Sequence, residues 1–140
     1  MSTENKALVR KWFEEVWSQG RADAIDTMLA DNARIHGLGP GVQGPDEFKA
    51  FHAAYCNAFP DVTITVDDVI AEGDMVAARW SGRATHSGDG LGFAATGREA
   101  QFSGMTFARI QNGKLVEGWN NFDQLGMFHQ LGVVNLPAAV

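Results

Sequence analysis

The chain has 140 residues, a net charge of −6 and a pI near 5.0, with 45% hydrophobic and 20% charged residues. That length and balance describe one globular domain, 1–140, and exclude a disordered chain. Acidity without clustered Lys or Arg argues against nucleic acid or an anionic membrane as partner, and no apolar run approaches the roughly 20 residues of a membrane span.

Ser2 or Thr3 can cap a first helix running to about Ser18, since Leu8, Trp12 and Val16 form one stripe with Val9, Phe13 and Trp17 beside it. Gln19-Gly20 stops it. A shorter helix follows, with Ala24, Ile25, Met28 and Leu29 on its apolar side; Ala33 to His36 reads as a short strand and Gly37 to Gly44 as a loop. Pro45-Asp46 opens a third helix that buries Phe48, Phe51 and Tyr55, and Pro60 ends it. From Val62 the period changes to two, giving strands over 62–71 and 75–86 around the Glu72-Gly73-Asp74 turn. The glycine-rich stretch Ser87 to Gly97 reads as a loop. A strand over 99–110, the Asn112-Gly113 hairpin signal and a return strand over 115–122 follow. A helix over 124–131 closes the domain, with the tail to Val140 as an arm. Helices segregated from an antiparallel meander predict an α+β fold. The single Cys56 cannot form an internal disulfide and the N-terminus lacks a signal-peptide pattern, so a cytoplasmic location is expected.

The hairpin supplies geometry. A two-residue Asn112-Gly113 turn sets Gln111 against Lys114, so opposed positions sum to 225. Asp123 then faces Phe102, Asn121 faces Gly104 and Trp119 faces Thr106. Opposed residues share a side of the sheet, which puts Trp119, Asn121, Asp123, Phe102 and Thr106 together, on the helix-covered face if Trp119 and Phe102 are buried. A carboxyl among aromatic rings has its pKa raised by desolvation and can take a proton from carbon near neutral pH, while Asn121 and Thr106 hold a substrate carbonyl. The competing reading is that Asp123 only caps the last helix, accepting from a backbone N–H near Gly126.

Six stretches carry a family resemblance. They are Asn5 to Trp17, Phe59-Pro60-Asp61, Ala71 to Asp74, Thr85 to Gly88, Gly113 to Trp119 and Asp123-Gln124-Leu125-Gly126. Together, from about Asn5 to Gly132, they resemble the SnoaL-like polyketide cyclases; the most specific piece is W-x-x-x-D followed by Leu-Gly. The resemblance implies a curved sheet wrapped by helices, the nuclear-transport-factor-2-like cone, and a homodimer. It also implies ring closure of a polyketide by intramolecular aldol condensation without metal or cofactor, one Asp serving as acid and base. That Asp falls on Asp123. The His or Gln that can accompany it on the neighbouring strand is missing, Thr106 and Ala108 taking the inward positions, and Gly118 stands where a His usually precedes the Trp. Ketosteroid isomerases of this cone use a Tyr and an Asp at positions that fall near Phe13 and Gly37, so that activity is not expected. Epoxide hydrolases pair two Asp with an Arg, for which Arg79 or Arg109 could serve, but no second inward Asp is evident.

Other signals weigh less. Gly39 to Gly44 spells G-x-G-x-x-G, but the helix begins after the last Gly rather than inside the motif, so a rim over a pocket is the better reading than a dinucleotide site. His36, His52, His86 and His129 show no ligand spacing, and no metal site is expected. His36 ends the first strand near a pocket mouth and is a candidate substrate contact; His86 reads as a strand-end or loop residue. Trp12, Phe13, Trp17 and Trp80 could line the site of a flat ligand, and Cys56 reads as a small filler. The expected function is cofactor-free acid/base chemistry on a hydrophobic carbonyl-containing small molecule. A non-catalytic binding protein of the same fold, an epoxide-hydrolase-like enzyme and a dimeric protein with a vestigial pocket are the alternatives.

Overall fold

The computed structural model describes residues 2–137, so Met1 and the last three residues of the expected arm lie outside the described residues. The first helix, α1 (Ser2–Lys11), continues without a break into a π-helical segment, Trp12–Ser18. Its wider winding is visible in Gln19 N–H donating to Glu14 O, five residues back. The carbonyl of Val16 is met from outside by His52 Nε2 at 2.6 Å. Then come α2 (Ala22–Met28), β1 (Leu29–His36), α3 (Pro45–Ala58), β2 (Thr63–Glu72), β3 (Met75–Thr85), β4 (Glu99–Gln111), β5 (Lys114–Phe122) and α4 (Gln124–Leu131). The chain is α+β, as its pattern predicts. β1 starts four residues earlier than expected, taking Leu29 from the helix. Pro45 opens α3 and Glu47 accepts from the Gly44 N–H at 3.0 Å, closing off one orphan donor of the first turn.

The five strands form one sheet in the order β1-β5-β4-β3-β2. β2 to β5 are an antiparallel meander, while β1 joins the far edge parallel to β5, pairing Ile35 with Gly118 and His36 with Trp119. The helices and the π segment bury Val9, Phe13, Val16, Ile25, Met28 and Phe48 against the inner side chains of the sheet, among them Ile35, Ile64, Val76, Trp80 and Ile110. A second cluster, Phe59, Ala84, Ala100, Met127 and Leu131, fastens α4 to the other end. The loop after β3 is docked rather than free. Ser87 and Gly88 donate to Ala58 O at 3.1 Å, capping α3, and a Cβ on Gly88 would lie 1.9 Å from Asn57 O. His86, expected at a strand end or in a loop, is fully buried between Phe59 and Phe93, its Nδ1 accepting from Thr96 N–H.

Register near the hairpin departs from the simple count. Gln111 pairs with Lys114 and Ile110 with Leu115, summing to 225, but Arg109 then pairs with Glu117, leaving Val116 as an extra residue in β5. The bulge has a clear cause: Leu115 and Phe122 are an odd number of residues apart, yet both pack inward, and period-two alternation permits that only if one residue is inserted. Beyond it, Thr106 pairs with Asn120 and Gly104 with Phe122.

Candidate functional site

The bulge decides the site. The inner face of β5 carries Gly118, Asn120 and Phe122, and Trp119 and Asn121 turn to the outer face; the expected grouping of Trp119, Asn121 and Asp123 with Phe102 and Thr106 is therefore corrected. Strict alternation from Leu115 would also have driven Glu117 inward, a charged residue facing a hydrophobic core. That conflict was the signal in the sequence.

Between the inner face and the helices lies a cavity of about 110 Å³. Trp12, Phe13 and Trp17 of the π segment form one wall, Phe48, Phe51 and Tyr55 of α3 another, and Trp80, Phe102, Thr106, Asn120 and Phe122 the sheet wall. Leu38 of the glycine-rich loop borders it, as a rim residue should. Of the expected substrate contacts, Phe13, Phe102 and Thr106 line the cavity, whereas Trp119, Asn121 and His36 do not. The polar part of the sheet wall is a ladder. Trp80 Nε1 donates to Thr106 Oγ1 at 3.1 Å, Thr106 Oγ1 donates to Asn120 Oδ1 at 3.0 Å, and Asn120 Nδ2 donates to the backbone carbonyl of His36 at 3.1 Å. Gly37 lets this junction close, since a Cβ there would sit 1.7 Å from Asn120 O and its φ is +87°.

Asp123 is exposed and is the N-cap of α4: its Oδ1 accepts from Gly126 N–H at 2.9 Å. The premise of a carboxyl desolvated among rings does not hold, because the chain leaves the sheet at Phe122 and the next side chain turns back on the helix it starts. Glu117 borders the cavity, but its carboxylate is engaged by His36 Nε2 at 2.7 Å. The His36 ring stacks on Trp119 at 5.5 Å, with the Arg109 guanidinium 6.0 Å from the Trp119 ring. Arg79 and Arg109 pair with Asp68 and Asp74 and neither lines the cavity. Burial pushes the Cys56 thiol up, the opposite of what a nucleophile needs. Among the described residues no group of His, Cys, Asp and Glu could hold a metal ion, and no helix is long and apolar enough to cross a membrane.

The residues that sequence reasoning missed are Asn120 and Tyr55. Asn120 lay hidden behind the one-residue shift, and Tyr55 was read only as core. The Tyr55 ring stacks on Phe51 at 4.5 Å, and its hydroxyl accepts from Gln124 Nε2 at 2.5 Å. Burial holds the phenol above its ordinary pKa, the Gln124 bond opposing this more weakly, so it stays protonated at neutral pH.

Residues 7–131 match the family model for SnoaL-like polyketide cyclases. Among solved structures, IdmH of Streptomyces antibioticus, provisionally described as a polyketide cyclase, is 29% identical over 92% of this chain and 99% of its own, with a TM-score of 0.80. A protein of Acidithiobacillus ferrooxidans with the same provisional description is 29% identical over 94% of this chain and 96% of its own, with a TM-score of 0.81. A Jannaschia protein described as SnoaL-like has a TM-score of 0.84 over 96% of this chain and 95% of its own; at 23% identity it speaks for the fold alone. No curated protein matches the chain. The chain belongs to the SnoaL-like polyketide cyclase family and has its nuclear-transport-factor-2-like α+β fold.

Proposed function

We propose that the chain is a cyclase- or isomerase-type enzyme acting on a hydrophobic, carbonyl-containing small molecule held in the cavity. One observation carries this reading: walls made mostly of aromatic and aliphatic side chains carry a hydrogen-bonded ladder whose last member, Asn120, keeps one Nδ2 hydrogen unspent. A few placed polar groups in an apolar cavity are how small-molecule sites orient their ligands. A carbonyl accepting from Asn120 is polarised, which eases transfer of a proton from the neighbouring carbon to a base and stabilises the enolate oxygen that results. The Glu117 carboxylate, the one carboxyl group on the cavity wall among the described residues, is the base in this reading and returns the proton when the enolate collapses. Thr106 and Trp80 hold the amide in that orientation; Phe13 and Phe102 confine the ligand's apolar body. This reading moves the carbonyl-holding role from Asn121 to Asn120 and leaves Asp123 as the cap of α4.

Trp12, Trp17 and Trp80 border the cavity, so ligand entry should quench tryptophan emission. We expect 1-tetralone or a terpenoid ketone to quench it saturably, and the protein to speed exchange of the ketone's α-hydrogens in D2O, with Asn120→Leu losing both. Absence of saturable quenching across a panel of polycyclic and terpenoid ketones overturns the reading. A second reading, a non-catalytic binding protein, is favoured by a specific observation: Tyr55 and Glu117 are the only titratable side chains on the cavity wall among the described residues, and the Glu117 carboxylate is already paired. Binding with no enhanced exchange selects it.

The homodimer that the resemblance implies is likewise proposed, through the outer face. There Ile70, Ala77, Phe107, Trp119 and His36 are consecutive partners across all five strands, and Ile70 and Phe107 are 70% and 55% exposed. A continuous apolar row on a sheet face suits a self-complementary contact. Sedimentation equilibrium should give a dimer for the native chain and a monomer for Phe107→Asp; a native monomer across the micromolar range sinks this.

A further inference from the structure

Hydrogen-bonding capacity can be counted around the cavity. Thr106 spends its proton on Asn120 and accepts from Trp80; Asn120 Oδ1 accepts from Thr106, and one Nδ2 hydrogen goes to His36 O. On the opposite wall, the Tyr55 oxygen accepts from Gln124 Nε2, and a phenol has one proton of its own to give. That proton meets no acceptor among the described residues. The ring is stacked on Phe51 and flanked by Phe59 and Phe122, 6.1 and 6.4 Å between centroids. The indole N–H groups of Trp12 and Trp17, also on the wall, are donors too. Unspent protons thus stand on two walls of the cavity, one on Asn120 of the sheet and one on Tyr55 of α3, with the two indoles as further donors.

We infer that Tyr55 is a second ligand-holding group, and that the cavity selects an apolar molecule bearing an oxygen acceptor at each of two positions, one for Asn120 and one for Tyr55. This rests on the proposed reading that the cavity holds a carbonyl compound, and names the class more narrowly. Gln124 positions the phenol by donating to its oxygen, which polarises the O–H and strengthens it as a donor.

The probe is 9,10-anthraquinone, flat and with carbonyls on opposite edges; anthracene is the same shape without them. Quenching titrations on the native chain should show anthraquinone binding more tightly than anthracene. Tyr55→Phe, which keeps the ring stacking, should weaken anthraquinone about tenfold, the worth of one hydrogen bond, and leave anthracene unchanged. The bound quinone's carbonyl infrared band should lose one downshifted component in that variant. Unchanged anthraquinone affinity and band in Tyr55→Phe overturn the role of Tyr55 while leaving the cavity reading standing. Equal binding of anthracene and anthraquinone by the native chain overturns the two-acceptor selection. Failure of the native chain to bind either overturns this inference, and failure across the ketone panel overturns the reading beneath it.

Discussion

The inner and outer faces of the same sheet are built on opposite plans. Inside, large rings alternate with nothing: Trp80 pairs with Gly104, which pairs with Phe122, and Gly82 pairs with Phe102. A Cβ on Gly104 would lie 2.4 Å from the Trp80 ring, and one on Gly82 2.6 Å from Phe102, so the glycines are the room into which the indole and phenyl groups fit. Polar groups on that face bond to one another and stop at an unspent donor. Outside, polar groups pair with charges and rings: Arg79 with Asp68, Arg109 over Trp119, and His36 between Trp119 and Glu117. The difference teaches that residue type along a strand does not assign a face. Trp119 looks like a core residue and lies outside; Asn120 looks like a surface residue and lies inside.

Deleting Gly118 attacks this comparison most directly. With the bulge at Val116 kept, the deletion turns Trp119 and Asn121 inward and Asn120 and Phe122 outward; with the bulge lost, it turns Glu117 inward. Either way we expect loss of cooperative unfolding in a circular-dichroism melt; a native-like melt would mean that strand parity does not set the faces. Gly37→Ala comes next, because its Cβ would strike the Asn120 carbonyl and its backbone is left-handed. A cost of about 3 kcal/mol, or a Tm lower by roughly 10 °C, is expected. Thr106→Val keeps the shape but strands Trp80 Nε1 and Asn120 Oδ1, for about 2 kcal/mol in a urea titration, together with weaker ketone binding. Asp123→Ala should cost about 1 kcal/mol through its cap, while Asp123→Asn, an equally good cap, should keep both stability and α-hydrogen exchange. Lost exchange in a well-folded Asp123→Asn would return catalysis to that carboxylate. Smallest of all, Phe107→Ser on the outer face should leave monomer stability within about 0.5 kcal/mol.

Most of the architecture was legible in the residues. Periodicity placed four helical regions, Asn112-Gly113 placed the β4–β5 hairpin, and the spacing of Asp123 to Gly126 placed the N-cap of α4. These are local features: a turn needs a backbone conformation that its own residues favour, and a cap needs only the next three amides. The candidate site was only partly legible. Phe13, Phe102 and Thr106 follow from unbroken alternation and helical spacing, and they line the cavity.

What tertiary structure decided was everything that depends on a partner distant in sequence. Parallel docking of β1 on β5 brings the His36 carbonyl to Asn120 across 84 residues. α3 and the start of α4 bring Gln124 to Tyr55 across 69. His86 is buried by Phe59 and Phe93, not by its own strand. The amino-acid order determines which way each strand alternates, but a single bulge reverses that parity. Whether one forms depends on which distant side chains must share the interior, and that balance is settled only when the whole chain packs.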